Sequence, residues 1–140
     1  MTPEQITLIK ASWQKVLPIG EDAAELFYAR LFTIDPTTRP LFRSTDMVAQ
    51  RQKLLKALGL VVGGLERFES LLGTVQELGR RHAGYGVTEA HYCSVGAALL
   101  WTLEKGLGSD WTPKTAAAWA EAYWAIATVM RDAARTPAAA

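Results

Sequence analysis

The stretch Ala24-Glu25-Leu26-Phe27-Tyr28-Ala29-Arg30-Leu31-Phe32 places Ala24, Phe27, Tyr28, Leu31 and Phe32 at positions i, i+3, i+4, i+7 and i+8. On an α-helix these side chains share one broad face, whereas on a strand they would scatter over both. A stripe this wide belongs to a helix buried deep in a core rather than one resting on a surface. Asp35-Pro36 ends it, because the residue before a proline is pushed out of the helical region and proline has no N–H to donate.

The same period recurs in both directions along the chain. Upstream, Thr2-Pro3-Glu4-Gln5 has the cap, first-turn proline and returning Gln of a capping box. Ile6, Ile9, Trp13, Val16 and Leu17 come next at helical spacing, up to Pro18 and Gly20. Downstream comes a short turn toward Leu41-Phe42, and Arg43 to Asp46 reads as a loop. Leu54, Leu55, Leu58, Val61, Val62 and Leu65 then mark a helix holding Gly59, Gly63 and Gly64, which point to a close helix crossing. Glu66 to Ser70 reads as a connection, and Leu71, Leu72, Val75 and Leu78 as a short helix reaching Arg80-Arg81-His82. Ala83-Gly84-Tyr85-Gly86-Val87 is a turn. Thr88 caps a helix carrying Tyr92, Val95, Leu99, Leu103 and Leu107, ended by Gly106, Gly108 and Asp110. Thr112-Pro113 opens a last helix with Trp119, Tyr123, Ile126, Ala127 and Met130, and residues from about 135 to 140 read as a frayed tail. No strand alternation, repeat or linker interrupts this pattern. Residues 1–140 therefore read as a single all-α domain of six to eight crossed helices.

Composition narrows the function. Fifteen Lys plus Arg against fourteen Asp plus Glu leave a charge of +1, which argues against binding driven by nucleic-acid phosphates. The N-terminus lacks a basic-then-apolar signal, and no run of about 18 apolar residues could span a bilayer. The single cysteine, Cys93, excludes an intrachain disulfide and fits a reducing compartment, so the expected location is cytoplasmic. There is no nucleophile elbow, phosphate-cradling loop or paired-ligand metal motif. Two histidines remain, His82 and His91. His91, in the first turn of a helix, reads as a solvated side chain. His82 alone reads as a surface residue more readily than as a ligand. A single axial histidine can nevertheless hold a haem iron, because the porphyrin supplies four further ligands.

The ordered set Phe27-Tyr28-Ala29-Arg30-Leu31-Phe32, Asp35-Pro36, Arg39-Pro40-Leu41-Phe42, Leu78-Gly79-Arg80-Arg81-His82, Ala90-His91-Tyr92 and Trp119-Ala120-Glu121-Ala122-Tyr123 resembles the globins. The likeness is to single-domain bacterial haemoglobins and to the globin domain of flavohaemoglobins, and it runs from about Thr2 to Ala133. It implies a globin fold around haem b, with His82 as the proximal iron ligand and Phe42 stacked on the haem face. It also implies that Tyr28 and Gln50 face the bound ligand and that Leu54 walls its pocket. Gln52, about 200° further round the helix, is the alternative to Gln50. Lys53 and Arg81 are candidates for the haem propionates, or simply solvated charges. Val87 and Val95 would line the proximal and lower pocket, and Tyr92 matches the family's tyrosine that backs the proximal histidine.

The function this resemblance implies is high-affinity, reversible binding of oxygen, for storage, transport or delivery, with carbon monoxide and nitric oxide as further ligands. A tyrosine O–H and a glutamine N–H can both donate to negative charge on the bound ligand, and such bonds strengthen in a dry pocket. The alternative is nitric oxide dioxygenation with a separate reductase as electron donor. One departure weighs against it. The family's glutamate behind the proximal histidine falls eleven residues after Tyr123, where this chain has Ala134, and Asp132 points to roughly the opposite side of the helix. His82 is thus expected to be a neutral imidazole donating to a backbone carbonyl or to water.

Overall fold

The computed structural model describes residues 1–135. Its order is α1 (Pro3–Val16), α2 (Gly20–Ile34), α3 (Met47–Gly64), α4 (Phe68–Gly84), α5 (Glu89–Leu107) and α6 (Pro113–Arg135). Four short 3-10 helices, at Leu17–Ile19, Pro36–Phe42, Leu65–Arg67 and Gly108–Asp110, join them, and there is no strand among the described residues. Arg135 closes α6, and the rest of the expected tail lies outside the described residues.

The helix starts follow their caps. Thr2 Oγ1 accepts from the Gln5 amide at 3.1 Å while the Gln5 side chain returns to the Thr2 amide at 2.9 Å. Asp46 caps α3 by accepting from Val48 and Ala49, and Thr112 Oγ1 accepts from the Thr115 amide at the start of α6. Each such cap contributes about 1 kcal/mol to its helix.

Two expectations are corrected. The helix bearing His82 is not short. It begins at Phe68, directly after the Leu65–Arg67 turn, and runs 17 residues, so most of the supposed connection is helical. Nor does the α3 glycine run mark the tightest crossing. A side chain at Gly63 would meet nothing within 4 Å and one at Gly59 would make ordinary contact with Trp13, while one at Gly64 would collide with the Leu71 side chain at 2.6–2.8 Å, so of the three only Gly64 marks a close approach. The tightest approach is elsewhere, where a Cβ at Gly79 in α4 would lie 2.3 Å from the Met130 carbonyl oxygen in α6.

The core is in two parts. Ile9, Trp13, Phe27, Tyr28, Leu31, Leu103 and Trp119 belong to the larger, drawn from α1, α2, α5 and α6 with Val62 of α3. Leu71, Val75, Tyr92, Ala127 and Met130 form the smaller, between α4, the start of α5 and the end of α6. Half-buried Tyr123 packs against both. The helices that carry His82 and Tyr28 thus belong to different cores.

Candidate functional site

Tyr28 is buried on α2, its ring edge-on to Phe27 at 4.9 Å and to Phe42 at 5.4 Å. Gln50 lies in the first turn of α3, which Asp46 caps, and its Nε2 donates to Tyr28 Oη at 3.1 Å. The phenol oxygen is the acceptor in this bond, so its own O–H remains to donate. Burial raises the Tyr28 pKa above its ordinary value, and the Gln50 hydrogen bond lowers it by less, so the proton is held at neutral pH. The start of α3 is tied to α2 by an Arg51–Glu21 ion pair at 2.7 Å. Gln52 is exposed, and of the two glutamines only Gln50 meets Tyr28.

His82 lies near the end of α4. Its Nδ1 is 2.6 Å from the Leu78 carbonyl oxygen. A carbonyl can only accept, so Nδ1 carries a proton, and in the tautomer this fixes for the neutral ring Nε2 is the nitrogen with the lone pair. Ala134, at the position where the family likeness expects a glutamate, is exposed on α6, and exposed Asp132 pairs with Arg135. Tyr123 donates its hydroxyl to the Tyr92 carbonyl at 2.5 Å. Burial raises the pKa of both tyrosines, strongly for Tyr123, and Arg131 opposes the shift in each.

Several apolar side chains that the family likeness assigns to the pocket are only half buried. Phe42, Leu54, Leu58, Val61 and Val95 edge the larger core; Leu78 and Val87 edge the smaller. Lys53 is exposed on α3, and exposed Arg81 pairs with Glu77 at 3.5 Å. Among the described residues no group of three or more His, Cys, Asp or Glu could hold a bare metal ion. A single imidazole whose Nδ1 is committed to a carbonyl, on a chain with many apolar side chains left part-exposed, suits a metal that brings its own equatorial ligands in a flat apolar ring. The residues present fit a haem, which His82 Nε2 would hold.

Sequence reasoning missed a polar chain beside this site, and its reading of His91 is corrected. His91 is buried, 8% exposed. Its Nδ1 accepts from the Thr88 amide at 3.0 Å, so Nε2 bears the proton and donates to Thr37 Oγ1 at 3.1 Å. The Thr37 hydroxyl donates onward to Asp35 Oδ1, and Asp35 Oδ2 accepts from Ser94 at 2.6 Å. The hydrogen bonds from Ser94 and Thr37 hold the Asp35 carboxyl below its usual pKa. The available signal was local: Thr88 and His91 stand three apart, as cap and partner do in a capping box, with His in place of Glu or Gln.

Comparison with known proteins agrees with this geometry. The Globin family model matches residues 25–130. A flavohemoprotein of Xylella fastidiosa (strain 9a5c) is 32% identical over 133 residues, covering 94% of this chain and 33% of the relative. A flavohemoprotein of Vibrio cholerae is 27% identical over 134 residues, covering 94% of this chain and 34% of the relative. The chain thus spans about a third of the length of these curated relatives. Among solved structures, a bacterial globin from Campylobacter jejuni superposes with a TM-score of 0.83 at 29% identity, covering 96% of each chain. With Tyr28 and His82 both inside the matched segment, the chain belongs to the globin family, a haem-binding fold.

Proposed function

We propose that this protein reversibly binds oxygen at a haem b held by His82, with Tyr28, oriented by Gln50, as the hydrogen-bond donor to the ligand. The observation that carries the reading is the state of His82: Nδ1 is committed to Leu78 and Nε2 is left as a lone-pair donor. When bound, haem supplies a ferrous iron that takes up a diatomic ligand such as oxygen, carbon monoxide or nitric oxide. The chain's residues do the rest. His82 directs its Nδ1 proton to a carbonyl rather than a carboxylate, which leaves Nε2 to face the iron. Gln50 orients the Tyr28 hydroxyl, whose proton is free to point at a negatively polarised ligand. Leu54, Phe42, Val87 and Val95 supply apolar walls that keep water out and strengthen those bonds. Lys53 and Arg81 are the cations available to propionates. This chemistry suits storage or delivery of oxygen, and the location proposed for it is the cytoplasm.

A second reading is favoured by the flavohemoprotein relatives: nitric oxide dioxygenation, with electrons from a separate reductase. Ala134 in place of a carboxylate weighs toward simple binding, because His82 Nδ1 donates to the Leu78 carbonyl and to no carboxylate among the described residues.

Absorption spectra of the ferric, dithionite-reduced and carbon monoxide-treated protein test the proposal. A Soret band that shifts to a sharp histidine-ligated carbonyl complex is expected. A colourless chain that takes up no added haemin would overturn it. Sustained nitrate production from nitric oxide with a generic reductase would establish the second reading, and a single stoichiometric turnover would exclude it.

A further inference from the structure

We propose that His91 is a positioning residue: through Thr37 and Asp35 it sets the spacing between the segment bearing Phe42 and the turn just after His82. The inference rests on the haem reading above for what lies between those two walls, and on hydrogen bonds alone for the bridge itself.

The bridge can be traced atom by atom. The Val87 amide donates to the His82 carbonyl at 3.1 Å, which fastens the α4–α5 turn to the last turns of α4. Thr88, the next residue, donates to His91 Nδ1. His91 Nε2 then reaches Thr37, 54 residues away in sequence, within the 3-10 helix Pro36–Phe42. Thr37 Oγ1 and its amide both donate to Asp35 Oδ1, and Ser94 of α5 holds the other carboxylate oxygen. The Thr38 hydroxyl donates to the Asp35 carbonyl at 2.7 Å, so the same residue organises the start of that segment twice. The two walls also meet at their apolar edges, since Leu41 Cδ2 sits 3.4 Å from where a Cβ on Gly86 would begin.

Apart from Ser94 on the Asp35 cap, no other side-chain hydrogen bond among the described residues joins this segment to α4 or α5. Phe42 edges the larger core and Val87 the smaller, and the two walls touch where Leu41 faces Gly86, so the His91–Thr37 bond is a polar tie added to that apolar edge. A rigid imidazole suits this task. It offers an acceptor and a donor on opposite edges of one ring, so the cap of α5 and the reach to Thr37 are fixed by the same plane. A Gln at this position could still cap the helix through its carbonyl oxygen, but without that rigid two-sided geometry.

The test uses the full-length haem-loaded protein and the variants T37V, T37S, H91Q and H91Q/T37V. Three quantities are read: the rate of haem transfer to an excess of an apoprotein scavenger, the melting temperature, and amide hydrogen exchange at Leu41, Phe42 and Val87 with and without haem. T37V keeps the shape but removes the hydroxyl, and H91Q keeps the cap. Each is expected to release haem about tenfold faster. The double variant should be no faster than either single one, T37S should restore the wild-type rate, and the three amides should lose protection while the melting temperature of H91Q holds. Haem loss unchanged in T37V, additive effects in the double variant, failure of T37S to rescue, or a fall in melting temperature that accounts for the haem loss would each overturn the bridge. If the chain takes up no haem at all, the proposed function fails, and the amide exchange of T37V still decides whether Thr37 and His91 hold the two walls together.

Discussion

Gln50 Nε2 and Tyr28 Oη stand 3.1 Å apart, with the amide donating to the phenol. This direction leaves Gln50 as the orienting group and Tyr28 as the one with a proton to give. In the haem-loaded protein Tyr28→Phe should therefore speed oxygen dissociation by an order of magnitude or more, measured by stopped-flow displacement with carbon monoxide. Gln50→Leu should produce a smaller acceleration, and little further change on top of Tyr28→Phe. An unchanged rate in Tyr28→Phe would remove the phenol from contact with the ligand.

His82→Ala should abolish stable haem retention, because buried His91 has both ring nitrogens engaged elsewhere and cannot substitute. Gel filtration of the reconstituted variant, monitored at the Soret wavelength, checks this. Haem co-eluting with an unaltered spectrum would show that the iron ligand is another residue.

Gly79→Ala should destabilise the fold by about 2 kcal/mol or more. The added carbon would meet the Met130 carbonyl oxygen at 2.3 Å, and a backbone atom inside a helix cannot step aside. Gly63→Ala, which meets nothing within 4 Å, is the matched control and should be neutral or stabilising. Urea midpoints of the two variants measure the contrast.

Ser12→Ala should cost about 1–3 kcal/mol. Ser12 Oγ accepts from the buried Trp119 indole N–H at 2.8 Å, and the indole would be left without a partner in the core. Trp119→Phe in the Ser12→Ala background should recover part of the loss. A double-mutant cycle of denaturation midpoints tests both statements.

Stability should fall as pH rises past about 10. Tyr28, Tyr92 and Tyr123 all have their pKa raised by burial from the ordinary phenol value of 10.0. In the unfolded chain these phenols lose protons first, so above pH 10 the unfolded state binds fewer protons than the native state and gains relative to it. Well below pH 10 the three contribute no slope. Thermal melts between pH 8 and 11 read the effect, which should shrink in Tyr123→Phe if that variant folds normally.

Much of this architecture was legible because helix ends are local. Thr2 with Gln5, Asp35 with Pro36, and Thr112 with Pro113 announce themselves within four residues, and the structure sets boundaries beside all three. The start of α4 was harder. Its apolar stripe begins at Leu71, while the helix begins at Phe68, straight from a 3-10 turn without a side-chain cap. The glycines misled for a related reason: crossing partners are chosen by tertiary packing, and Gly79 meets Met130 from far along the chain, whereas Gly63 faces open space. His91 was misread because nothing near it signals burial; Asp35 and Thr37 arrive from more than fifty residues upstream. For Tyr28, Gln50 and His82, periodicity alone offered a core aromatic, a polar side chain and a lone imidazole. Their pairing was suggested by family likeness, and the Tyr28–Gln50 and His82–Leu78 hydrogen bonds are consistent with the roles proposed for them.

The divided core has a consequence for the life of the polypeptide. Two apolar clusters that share Tyr123, with half-covered Phe42, Leu58, Val61, Leu78 and Val87 along their edges, leave the bare chain with an unfinished interior. On the reading proposed above, the prosthetic group completes it, and anything that binds the native state alone stabilises that state by mass action. A nascent chain short of porphyrin should then be the better protease substrate. Limited proteolysis with and without haemin should show a cofactor-dependent lifetime, so that the abundance of the protein becomes a gauge of haem supply.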